Sequence, residues 1–64
     1  MAKRLMKLLP GDSVQYKKDS SIYTVIGQLG DVVIIEYPAT GEQLDVDRKD
    51  LKVLRHAGLI HIND

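Results

Sequence analysis

Four β-branched aliphatics stand in a row at Val32, Val33, Ile34 and Ile35 of a 64-residue chain, and on either side of them apolar and polar positions follow strand-like patterns. Pro10 and Gly11 punctuate the chain, and Val14 and Tyr16 then alternate with Ser13 and Gln15 in a first predicted strand. Lys17 to Ser21 is polar and reads as a loop. Ile22 to Gln28 is rich in β-branched and aromatic residues and predicts a second strand. Gly30 and Asp31 leave room only for a tight hairpin turn, in which glycine takes positive φ without steric cost. A third strand runs from Val32 to Tyr37. Pro38-Ala39-Thr40-Gly41 reads as a type I turn with Gly41 in the left-handed position. Glu42 to Asp47 returns as a fourth strand, with Leu44 and Val46 on one face and Gln43, Asp45 and Asp47 on the other.

The last stretch supports two readings. In one, Asp47-Arg48-Lys49-Asp50 makes a single 3₁₀ turn capped by Asp47, and Leu51 to Leu54 makes a short fifth strand. In the other, a helix runs from Asp50 to Ala57 and is closed by Gly58. The first reading gives an all-β fold, a five-stranded small barrel with one 3₁₀ turn before the last strand. Residues 1–9 are then a basic N-terminal segment, 10–54 the barrel and 55–64 a tail or extra strand. Val33 and Ile35 should face its core with Val14, Val25, Leu44, Val46 and Leu51.

Val32 and Ile34 would then point outward. Burying two such side chains contributes ~3 to 6 kcal/mol, a large share of the stability of so small a domain. Leu59-Ile60-His61-Ile62 offers a cover, from the same subunit or a neighbour, and makes Val32, Ile34, Leu59, Ile60 and Ile62 a candidate protein interface. A strongly curved barrel strand, buried on both sides, accounts for the same four aliphatics.

The stretch "LLPGDSVQY...IYTVIGQLGDVVIIEYPATGEQLDVDRKDLKVL" resembles the SH3-like small barrels of KOW and Tudor type. It is also similar to the small barrel modules of transposases of the bacteriophage Mu integrase type, in which "PGD.V.Y", a "Y.V" strand, "GD.V.." and "TGE...V....L" occur in this order. The resemblance covers residues 8–54. It implies a binding module that came from a mobile genetic element, without the catalytic domain of such transposases. The aromatic cage of a methyl-lysine-reading Tudor domain is not matched, since Tyr16, Tyr23 and Tyr37 are the only aromatics.

Composition narrows the class of object. A chain this short forms one domain with a core near the lower size limit. Val, Ile and Leu supply 20 residues and cysteine is absent, which removes disulfides and thiolate metal sites and makes association with a partner the natural support for a small core. The apolar part of MAKRLMKLLPG is interrupted by Lys7 and stops at Pro10, too short for a signal peptide or a membrane span. The expectation is a soluble, cytoplasmic protein that engages no membrane.

Nine basic and nine acidic residues cancel, with a formal net charge of zero, yet their order is uneven. No Lys or Arg lies between Asp19 and Asp47, so the folded molecule should carry distinct positive and negative regions. Strand directions predict that Lys3, Arg4 and Lys7 gather with Arg48 and Lys49 at one pole, with Lys52 and Arg55 at its margin and Lys17 and Lys18 at the opposite end. Such a pole could hold phosphates. A solvated pole that offsets Asp31, Asp47 and Asp50 explains the same residues.

Motifs for catalysis are missing. Ser13, Ser20, Ser21, Thr24 and Thr40 have only His56 and His61 as bases of the usual kind, and no glycine-flanked nucleophile turn is present. Asp45 to Asp50 spaces carboxylates faintly like a calcium loop, but lacks its glycine and contains two cations. His56 and His61, five apart, do not share a helical face for a metal. No cofactor and no small-molecule substrate are expected. The resulting expectation is a non-catalytic module that binds nucleic acid through Lys3, Arg4, Lys7, Arg48, Lys49, Lys52 and Arg55. The alternative is a protein-interaction adaptor or homodimer, or an inhibitor of a host protein, working through the strand-three face and the tail.

Overall fold

The computed structural model describes residues 8–57. It is all-β: β1 (Ser13–Tyr16), β2 (Ile22–Leu29), β3 (Val32–Glu36), β4 (Gln43–Asp47), a 3₁₀ turn (Arg48–Asp50) and β5 (Leu51–Arg55). The strands form one antiparallel sheet in the order β4-β3-β2-β1-β5, so the barrel is open between β4 and β5. The competing helix over 50–57 is not formed. Leu51 and Val53 face the interior at alternate positions, which is the period of a strand.

Local chemistry sets the connections. Leu29 pairs with Val32 around Gly30 and Asp31, and Gly30 alone of the two turn residues has positive φ, +58°, the pattern of a type II′ hairpin. At the β3–β4 connection the Gly41 amide bonds the Tyr37 carbonyl at 2.8 Å and the Tyr37 amide bonds the Glu42 carbonyl at 2.8 Å. Asp47 caps the 3₁₀ turn, its Oδ1 accepting from the Lys49 amide at 3.0 Å.

Strand three resolves as its alternation requires. Val33 and Ile35 are fully buried, opposite Val46 and Leu44, while Val32 is 46% exposed and Ile34 half-buried. The core unites Leu8, Val14, Tyr23, Val25, Val33, Ile35, Val46 and Leu51, with Tyr16, Tyr37, Leu44 and Val53 packed at its margin. Leu8 belongs to this core, so the barrel's packing starts before the expected boundary at residue 10. β5 likewise runs to Arg55, one residue beyond the expected end.

Two bulges shape the ends of the sheet. The register of β2 on β3 shifts between Val25 and Gly27, which turns Ile26 outward and brings Gln28 to the inner side, opposite Val33. There its side-chain carbonyl accepts from the Leu8 amide at 2.8 Å and its amide donates to the Gly30 carbonyl at 2.8 Å. A second shift, between Ser13 and Val14 on the β1–β5 pair, leaves Leu54 unpaired and exposed.

Candidate nucleic-acid interface

The cations do not sit where strand direction alone places them. Strand direction places Lys17 and Lys18 at the end opposite Lys49; instead Lys17 Nζ donates to the Lys49 carbonyl at 3.1 Å, and the Lys17 amide to the Asp50 carbonyl at 2.8 Å. The reason is the path of the 3₁₀ turn. It starts beside the β2–β3 hairpin, where the Arg48 amide bonds the Asp31 carbonyl at 2.8 Å. It then crosses the open side of the barrel and delivers Leu51 to the far end of β1, opposite Tyr16. Arg48 therefore stays at one end while Lys49 reaches the other.

From that point β5 carries the charge onward. Lys52 faces Gln15 and Arg55 faces Ser13 across β1, and both are exposed. Lys17, Lys18, Lys49, Lys52 and Arg55 thus follow one another along the β1–β2 loop, the 3₁₀ turn and β5. Lys18 stands 3.9 Å from Asp50, but with its side chain 67% exposed this is a weak tether in high dielectric, and the ammonium remains open to another anion. Arg48 is less available. Its guanidinium folds back on the turn, with Nη1 3.5 Å from the Leu51 carbonyl and Nε enclosed without an acceptor. Lys3, Arg4 and Lys7 lie outside the described residues.

Opposite charge occupies the other flank of the sheet. Asp47 faces Val32, Asp45 faces Ile34 and Gln43 faces Glu36, so the outer side of β3 and β4 carries Glu36, Asp45 and Asp47 beside Asp31 of the hairpin. Among the described residues, charge is thus divided between a basic flank and an acidic one.

Apolar surface gathers at the hairpin end. Leu29 is 73% exposed and pairs with the exposed Val32, and Ile26 emerges at the bulge nearby. Of the candidate protein interface, Val32 and Ile34 fall here, and Leu59, Ile60 and Ile62 lie outside the described residues.

Two polar clusters were not foreseen. Asp12, only 1% exposed, follows a turn in which Pro10 and Gly11 occupy the corners and the Asp12 amide bonds the Leu9 carbonyl at 3.1 Å. Gly11 has φ +97°, the type II geometry that requires glycine after proline. Asp12 Oδ2 accepts from the Leu9 amide at 3.0 Å and lies 3.1 Å from His56 Nδ1, and Oδ1 accepts from the Ala57 amide at 2.7 Å. Burial pushes the carboxyl pKa up, but the hydrogen bonds from Leu9, Ala57 and His56 outweigh it and hold Asp12 below the usual range. The available signal was the alternation itself, which places Asp12 on the inner face with Val14 and Tyr16.

The second cluster joins all three tyrosines. Tyr23 meets Tyr16 edge-on at 6.1 Å between ring centroids and Tyr37 at 5.4 Å. The Tyr23 hydroxyl donates to Asp19 Oδ2 at 2.7 Å. That bond to a carboxylate, with burial, pushes the Tyr23 pKa up to about 12. Tyr23 is buried, so its ring works as packing more than as an open stacking platform.

The hydroxyls of Ser13 and Thr24 lie on the sheet, those of Ser20, Ser21 and Thr40 in the loops, and none is hydrogen-bonded to His56, whose ring is committed to Asp12. No group of three or more potential metal ligands occurs among the described residues. None of their helices is long and apolar enough to cross a membrane. Comparison of the chain with protein-family models, with curated proteins and with solved structures finds no match.

Proposed function

We propose that the chain is a non-catalytic cytoplasmic module that binds the phosphate backbone of nucleic acid through Lys17, Lys18, Lys49, Lys52 and Arg55. The observation that carries this reading is the contact of Lys17 with the Lys49 carbonyl at 3.1 Å, which merges two short basic segments of a neutral chain into one band. Four of the five cations are lysines, which meet phosphate as point charges, and the band carries no exposed aromatic ring, so binding depends chiefly on charge. The likeness in pattern to transposase barrel modules agrees with duplex DNA as the polyanion.

The test is fluorescence anisotropy of a labelled duplex across a salt series. Neutralising about four phosphates gives a slope of ~−4 in log K against log salt, a loss on the order of 10²-fold between roughly 50 and 200 mM. Lys49→Glu with Lys52→Glu should remove binding at low salt while the fold persists. Equal binding by that variant would refute the band.

A second reading is favoured by the Leu29 and Val32 surface: an adaptor that receives a protein partner there, with Asp31, Asp45 and Asp47 as its polar rim. Such binding would respond little to salt.

A further inference from the structure

The open barrel ends in two strands of five residues each, β4 and β5; among the described residues neither has a strand on its outer side, and the 3₁₀ turn that crosses the opening engages β5 at its first residue, Leu51. Unpaired strand edges present a row of amides and carbonyls ready for another chain. The two edges carry opposite charge. On the outer face β4 shows Asp45 and Asp47, both exposed, and β5 shows Lys52 and Arg55, both exposed.

We infer that copies of this chain associate head to tail, the β4 edge of one pairing with the β5 edge of the next. Charge selects this arrangement over the symmetric ones. Joining β4 to β4 sets Asp45 and Asp47 against their own copies, and joining β5 to β5 does the same for Lys52 and Arg55; like charges across a strand pair oppose pairing. Joining β4 to β5 puts carboxylates beside cations in any register that keeps the two outer faces together, since diagonal neighbours are within reach of long side chains. The contact is heterologous, so it generates rings or open filaments and not closed dimers.

This inference goes beyond the phosphate-binding proposal and does not depend on it. The two share Lys52 and Arg55, so DNA should compete with assembly. Lys17, Lys18 and Lys49 stay outside the joint and would repeat from copy to copy.

Sedimentation velocity without nucleic acid tests the inference, at ~20 mM salt where the screening length is on the order of 20 Å. The wild type should show concentration-dependent association with Kd on the order of 1 mM or tighter. Asp45→Lys alone, and Lys52→Glu with Arg55→Glu alone, should each weaken it more than about tenfold, because the first cancels the charge of the β4 edge against Asp47 and the second leaves both edges negative. An equimolar mixture of the two variants should associate again, since each then offers the other an edge of opposite charge. Circular dichroism establishes that each variant is folded, and Asp45→Asn serves as the milder change if Asp45→Lys is not. A wild type that stays monomeric at millimolar concentration, single variants that associate as the wild type does, or a mixture that does not recover would each overturn the inference. Asp45 lies outside the basic band, so its variants keep every cation proposed to hold DNA, and assembly can fail while DNA binding persists, or the reverse.

Discussion

Asp12 and His56, 44 positions apart in the chain, stand with Oδ2 and Nδ1 3.1 Å apart. The same carboxylate accepts from the Ala57 amide at 2.7 Å and the Leu9 amide at 3.0 Å. One buried side chain therefore ties the turn that enters β1 to the segment that leaves β5. β1 and β5 are already paired in the sheet, and this clasp extends their joint beyond the strands.

The clasp makes stability depend on acid. Asp12 has a lowered pKa in the folded state, so its contribution is fully present above the unfolded value near 3.8 and is lost as pH falls through the folded one. Asp19, held low by the Ser21 amide and the Tyr23 hydroxyl, acts in the same range. Urea unfolding of the wild type should therefore show stability falling below about pH 4. Asp12→Asn should be less stable near neutral pH by about 1 to 3 kcal/mol, with a flatter acid limb. Parallel acid limbs for the two proteins would remove the clasp from the account.

At the alkaline end Tyr23 is the reporter. Its pKa is raised from 10.0 to about 12, so the stability it contributes is present below 10.0 and declines as pH rises toward the folded value. Phenolate absorbance should show one of the three tyrosines ionising near 12. Asp19→Asn should bring that titration down toward 10.0; an unchanged curve would contradict the assignment to the Asp19 hydrogen bond.

Strand three supplies a sharp contrast between neighbours. Ile35 is fully buried and Val32 is 46% exposed. Ile35→Ala should cost about 2 to 5 kcal/mol in chemical denaturation, enough to unfold much of a domain this small. Val32→Ala should change stability by less than about 0.5 kcal/mol. Comparable losses at the two positions would mean that the hairpin face is covered.

What was legible in the sequence is what short-range chemistry decides. The alternation of Leu44 and Val46 with Gln43, Asp45 and Asp47 specified faces, Gly30-Asp31 specified the hairpin, and Asp47 specified the capped 3₁₀ turn. The bulges at Ile26 and Leu54 were not legible, because an extra residue breaks no local preference and is defined only against the partner strand. The Asp12–His56 contact and the joining of Lys17 to Lys49 depend on how distant segments cross. Strand direction predicted the second wrongly because it treats a connection as staying at one end, whereas the 3₁₀ turn spans the barrel from Asp31 to Lys17.

Amide-resolved NMR reads the basic band residue by residue. The labelled protein is titrated with a short duplex of arbitrary sequence at low salt and again at moderate salt. Shifts should concentrate at residues 17, 18, 49, 52 and 55 and vanish as salt rises. Absence of shifts in that band, or shifts confined to Leu29 and Val32 that persist in salt, would contradict phosphate binding there.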